Sequence, residues 1–232
     1  MFGVPMNKNK IIIAVVILVA VVAGAGIYAA NKSDKAATNN STQQTADTSL
    51  VDKNSAEYKQ FNELKGEDYD RMFLANMIAH HQGAVDMANL ALTNAKHQEL
   101  KDMANAIISA QNKEITDMQS WQSQWGYPAS SGDMMMDHSA MGMMDDMASM
   151  TEKLKDLTGD DFDKAFISSM IEHHQSAINM AYPGETNAQH QEVKTLTKAI
   201  VDAQSKEIAQ MKQWQTDWEY STSDNSMSGM SH

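Results

Sequence analysis

The chain contains no cysteine, which excludes disulfide frameworks, cysteine-ligated zinc sites and thiol catalysis. It is also short of positive charge, with Lys+Arg 18 against Asp+Glu 30 and a formal charge of −12. Phosphate binding needs a basic surface, so this balance argues against nucleic acid as a partner. Aromatic residues are only 6%, and no alternating polar–apolar stretch suggests a strand. What the chain does have is methionine, 20 residues in 232. With cysteine missing, those thioethers are the only sulfur ligands it can offer. Polar helix formers dominate the remainder, so the expected class is all-α. The length suits one or two domains and suffices to bury a core.

Residues 11–30 run IIIAVVILVAVVAGAGIYAA without a charge, about the length of a bilayer-spanning helix. Lys8 and Lys10 precede this run, and Lys32, Asp34 and Lys35 come after it. The positive-inside rule therefore favours a cytoplasmic N-terminus, though weakly. Ala23, Gly24, Ala25, Ala29 and Ala30 also suit a signal-peptide cleavage site, although signal cores are usually shorter. Residues 1–30 thus read as a membrane anchor or signal segment, and either way the rest is extracytoplasmic. A retained segment gives a single-pass cell-membrane protein, and a cleaved one gives a periplasmic or secreted protein. Residues 31–55 are rich in Ser, Thr, Asn, Gln and Ala and read as a polar tether that cannot bury a core.

An internal repeat organises the remaining residues. A shift of 93 positions aligns Leu64–Trp125 with Leu157–Trp218 without a gap, and 31 of the 62 aligned positions are identical. Each copy predicts two helices. The first begins after Gly66 or Gly159, with Asp68 or Asp161 as N-cap. The second begins near His97 or His190, and in the first copy it ends at Gly126 and Pro128. Pro183 and Gly184 stop the third helix early. Two such hairpins, residues 56–127 and 152–220, predict a four-helix bundle folded from duplicated halves. Residues 128–151 form the linker between them, and residues 221–232 a Met/His tail.

Helical periodicity places His80 and His81 on either side of the Phe73, Met77, Ala84 stripe, with Met87 further along. The second copy repeats this with Met170, His173, His174 and Met180. Imidazole together with thioether suits a soft or borderline ion, copper above all, with Cu(I) preferred and Cu(II) possible. The expected ligands are Met77, His80, His81, Met87, His97, Met118, Met170, His173, His174, Met180, His190 and Met211. A protonated imidazole at a helix N-terminus opposes the dipole, so His97 and His190 are expected neutral, as ligands or hydrogen-bonded. Gln111, Glu114, Gln204 and Glu207 fall on the inner face of the second helices. They are expected to orient the imidazoles rather than to bind metal. Trp121, Trp125, Trp214 and Trp218 are expected to close the end of the bundle.

The linker holds eight methionines, four aspartates and one histidine in residues 132–150, with no Lys or Arg. Its periodicity is poor, and it reads as mobile or loosely helical. Met134, Met135, Met136, Met141, Met143, Met144 and Met147 are expected to collect Cu(I), and His138 to help with Cu(II).

The pattern Met-x-x-His-His-x5-Met-Ala, then His-Gln-Glu, Gln-x-x-Glu-Ile-x-x-Met and Trp, resembles a family of secreted bacterial proteins known as a domain of unknown function. The family carries an HH motif, occurs in one or two copies and is placed in the ferritin-like superfamily. The resemblance covers about residues 56–219. It implies a ferritin-like bundle of paired repeats and, by analogy with a similar periplasmic copper-binding protein, copper binding and tolerance. The family's roles map onto Met77, His80, His81, Met87 and their second-copy equivalents. The expected partners are a metal ion, the membrane and a metal-transfer protein. No catalytic residues are assigned, since the Glu-x-x-His motif of di-iron bundles is absent. A ferritin-like metalloenzyme and a metal-independent structural bundle remain the alternatives.

Overall fold

Glycine opens and closes the first hairpin. Gly66 (φ 59°) stands immediately before its first long helix and Gly126 (φ 71°) ends its second in the left-handed conformation, which costs glycine little. The computed structural model describes residues 48–127 and 147–220. A 3-10 turn at Thr48–Leu50 leads into α1 (Ala56–Glu63), α2 (Glu67–Asn94) and α3 (Gln98–Trp125). Residues 147–154 form α4. Then come α5 (Gly159–Ala181), α6 (Gly184–Asn187) and α7 (Gln191–Asp217). The segments read as an N-terminal membrane or signal segment, most of the linker and the C-terminal tail lie outside the described residues. Among the described residues, no helix is long and apolar enough to cross a membrane.

The protein is an all-helical bundle. Its long helices pair as α2 with α3 and α5 with α7, and α2 and α5 join the two pairs. Their inner faces bury Tyr69, Phe73, Leu74, Met77, Leu100, Ile107 and Met118, answered by Phe162, Phe166, Ile167, Met170, Val193, Ile200 and Met211. The two copies are related by an approximate two-fold exchange. Gly66 bridges Ala188 and Ala95 bridges Gly159, and the 93-residue shift converts each of these pairs into the other.

Capping differs from the sequence expectation. The residues before α2 and α5 are Gly66 and Thr158, neither with a side-chain cap bond. Asp68 and Asp161 instead lie in the first turn, where negative charge suits the helix dipole. The carboxylates that do cap helices come from the other copy. Asp70 on α2 accepts from the backbone N–H groups of Gln189 (3.0 Å) and His190 (2.9 Å) at the start of α7. Asp163 on α5 accepts from Lys96 (2.9 Å) and His97 (3.1 Å) at the start of α3.

Three short helices have no counterpart in the sequence reading. α1 and α6 have 8 and 4 residues, too short for a periodic signal. α6 exists because α5 ends at Ala181 and the chain then passes close to the core. A Cβ at Gly184 would sit 2.5 Å from the Tyr69 hydroxyl, a distance only glycine tolerates. α4 crosses the boundary between linker and second copy. Met147 and Leu154 are buried and Met150 packs against the core, an i, i+3, i+7 stripe of an amphipathic helix.

Candidate metal centre

Where α2 meets α5, the two His-His pairs come together inside the bundle. His81 and His174 are 0% exposed, His80 1% and His173 2%. The His80 and His173 rings, one from each copy, have centroids 3.7 Å apart. Their neighbours His81 and His174 lie 6.5 and 6.1 Å from them within each pair.

Two of the four rings are hydrogen-bonded through Nε2, and a third faces a carboxylate. His81 Nε2 donates to Glu114 Oε2 at 2.7 Å, and His173 Nε2 donates to the His80 carbonyl at 3.0 Å. His174 Nε2 lies 2.7 Å from Glu207 Oε2, a less well aligned contact. All four Nδ1 atoms are buried without a hydrogen-bond partner. An imidazole held by a carboxylate or carbonyl through one N–H offers its other nitrogen as a ligand.

The His80 and His173 rings are also held in the neutral, ligating form. Burial first, then the neighbouring rings of His173, His81 and His174, push the His80 pKa well below its ordinary value. Burial, then His174 and His81, do the same to His173. The unfolded chain, with ordinary histidines, takes up these protons first as pH falls. Both contributions to stability are therefore intact above pH ~6.5 and decline below it, by about 1.4 kcal/mol per pH unit per ring. The denaturant midpoint of the metal-free chain should fall progressively from pH 6.5 to pH 5. A midpoint that stays level or rises over this range contradicts burial of neutral rings.

Thioethers complete the surroundings. Met77, Met87, Met118, Met170, Met180 and Met211 are all 0% exposed. Met77 and Met170 lie one turn before the His pairs on their own helices, and Met118 and Met211 lie one turn after Glu114 and Glu207. Among the described residues, no three His, Asp or Glu side chains are grouped so as to hold a metal ion. An ion in this interior would have to draw on sulfur as well as imidazole nitrogen. Neutral thioether sulfur favours Cu(I) over zinc, and magnesium and calcium prefer oxygen ligands.

The structure sets the remaining expected residues apart. His97 and His190 cap the starts of α3 and α7, roughly 20 Å along the helices from the buried pairs. His190 Nδ1 donates to Asp70 at 2.6 Å while its ring stacks on Trp125 at 3.7 Å. His97 Nδ1 donates to Asp163 at 2.7 Å and stacks on Trp218 at 3.8 Å. No single ion could span these rings and the buried pairs. Gln111 and Gln204 are buried with Oε1 unpartnered, so the contacts to the imidazoles come from Glu114 and Glu207. Of the expected linker ligands, Met147 lies within the described residues and is 7% exposed. Met134, Met135, Met136, His138, Met141, Met143 and Met144 lie outside them. Sequence reasoning passed over Asp70 and Asp163. Their signal was present, an acid identical in both copies and on the same helical face as Phe73 and Met77.

Solved structures share this fold. CopM in the Cu(II)-bound form is 39% identical with a TM-score of 0.54, covering 64% of this chain and 97% of CopM. CopM in the Cu(I)-bound form is 39% identical with a TM-score of 0.53, covering 64% and 96%. A putative secreted protein from Streptomyces coelicolor is 28% identical with a TM-score of 0.57, covering 64% and 92%. No curated protein matches the chain by sequence. The model of the domain of unknown function DUF305 matches residues 25–118 and 70–215, and the chain belongs to the DUF305 family.

Proposed function

We propose that this protein binds copper outside the cytoplasm, sequestering, buffering or passing on Cu(I). The observation that carries this reading is the set of four buried imidazoles with unpartnered Nδ1 atoms, on helices that also bury six methionine thioethers completely. A buried polar atom without a partner costs about 1–3 kcal/mol, and four in one cluster call for an explanation outside packing. A soft cation supplies one. Met77, His80, His81, Met87, Met118 and their second-copy equivalents are the ligand set, with Glu114 and Glu207 orienting His81 and His174. The copper-bound structures of CopM and the secreted neighbour support the same reading. In this proposal two hairpins form a ferritin-like bundle, the N-terminal apolar run tethers or exports it, and the linker methionines that precede Met147 collect further Cu(I). A transfer partner would take the ion from the bundle.

Titration of the full chain against a chromophoric Cu(I) competitor, repeated with Ag(I) and Zn(II), tests the reading. Cu(I) and Ag(I) should bind and Zn(II) should not compete. Nitrogen NMR of the imidazoles should show the Nδ1 resonances of the buried histidines shifting on Ag(I) addition. Binding that leaves those resonances unmoved would remove the bundle from the proposal, and absence of Cu(I) binding would end it.

A further inference from the structure

The two copies present equivalent histidines, but their outer covers differ. Gln82, Gly83 and Asp86 on α2 correspond to Gln175, Ser176 and Asn179 on α5. On α5 these positions hold down the main chain that precedes α1. Gln175 Nε2 donates to the Leu50 carbonyl, and the Asp52 N–H donates to Asn179 Oδ1 at 2.9 Å. Leu50 and Val51 then pack against the core. On α2 no such strap exists among the described residues. Gln82 Nε2 donates to Asp86 Oδ1 at 3.0 Å, both at exposed positions.

Gly83 is covered by a side chain instead. A Cβ at this position would lie 3.1 Å from Met147 Sδ and 3.5 Å from His173 Nε2. The missing Cβ thus leaves a notch in α2 that the Met147 thioether fills, beside the edge of a buried imidazole. His173 Nε2 already donates to the His80 carbonyl, so at rest the sulfur is this ring's neighbour, with no lone pair facing it. A methionine side chain moves by rotating about flexible bonds, whereas the strap over α5 moves only by breaking hydrogen bonds.

We infer that the Gly83 notch is the port to the buried histidines and that Met147 is the thioether through which a soft monovalent ion passes. The inference rests on the copper-binding reading above and adds to it a route and an asymmetry between the copies. Met147 binds the ion in transit, then yields it to the imidazoles within.

Met147→Leu keeps the volume and apolar packing of the side chain and removes the sulfur. In stopped-flow mixing of the full chain with Ag(I), with subsequent release to a chelator, both loading and release should slow by about tenfold. Equilibrium affinity should stay within a factor of about two, because a residue used only in passage alters both rates alike. Met150→Leu, on the same helix, should keep the parent rates. Parent rates in Met147→Leu overturn the port. A tenfold loss of affinity with unchanged loading also overturns it, making Met147 a permanent ligand. Failure of Ag(I) to shift the imidazole Nδ1 resonances of the parent chain removes the bundle from the copper reading, and the port with it, a result separable from either.

Discussion

A chain carrying His80→Leu and His173→Leu together should lose Cu(I) affinity at the bundle by more than about 100-fold, while its metal-free form is as stable as the parent or more so. The two effects have one origin. The rings belong to different copies and lie 3.7 Å apart between centroids, so one ion in this interior has both within reach. Without metal, each ring keeps an unpartnered buried Nδ1 at about 1–3 kcal/mol. Leucine has a similar size and leaves no polar atom behind, and replacing buried polar groups by apolar ones of like shape is often neutral or stabilising. Cu(I) competition titration and urea unfolding of the metal-free variant read the two outcomes. A variant several kcal/mol less stable with unchanged Cu(I) affinity would make the pair structural. The expected result is a core that gives up stability for binding, as functional sites commonly do.

Asp70→Ala should cost about 3 kcal/mol of folding stability, with Asp163→Ala similar. Asp70 is 0% exposed and receives three donors from the opposite copy: Gln189 N (3.0 Å), His190 N (2.9 Å) and His190 Nδ1 (2.6 Å). Alanine leaves the first N–H groups of α7 uncapped in a partly buried setting and frees the ring that stacks on Trp125. Asp70→Asn keeps an acceptor without the charge and should fall between parent and alanine. Urea midpoints give the comparison, and a loss below about 0.5 kcal/mol for Asp70→Ala would show that the carboxylate does not hold the two copies together. The buried histidines lie roughly 15 Å away along α2, so any Asp70 variant that remains folded should bind Cu(I) as the parent does.

Much of the site is legible in the sequence because helical periodicity is a local property. The Phe73, Met77, Ala84 spacing by itself predicts an inward face, and His80 and His81 flank it wherever the helix is placed. Gly126 marks the end of α3 for an equally local reason, since a left-handed residue suits glycine. The linker is harder to read. Its methionine content masks the Met147, Met150, Leu154 stripe of α4, because methionines at so many spacings hide a single helical periodicity. Asp68 suits a cap on sound local grounds, yet the capping carboxylates are Asp70 and Asp163, each serving a helix of the other copy.

The sequence by itself determined the helical class, the duplication, the approximate starts of the long helices and the presence of paired imidazoles among thioethers, since each depends on neighbours within a few turns. Only the tertiary structure decided that His80 meets His173, that Asp70 reaches His190 across 120 residues, and that Gly83 is closed by Met147 while Gln175 and Asn179 hold a backbone strap. Those pairings depend on how two hairpins dock, and docking is set by the sum of many apolar contacts between distant segments, which no local spacing encodes.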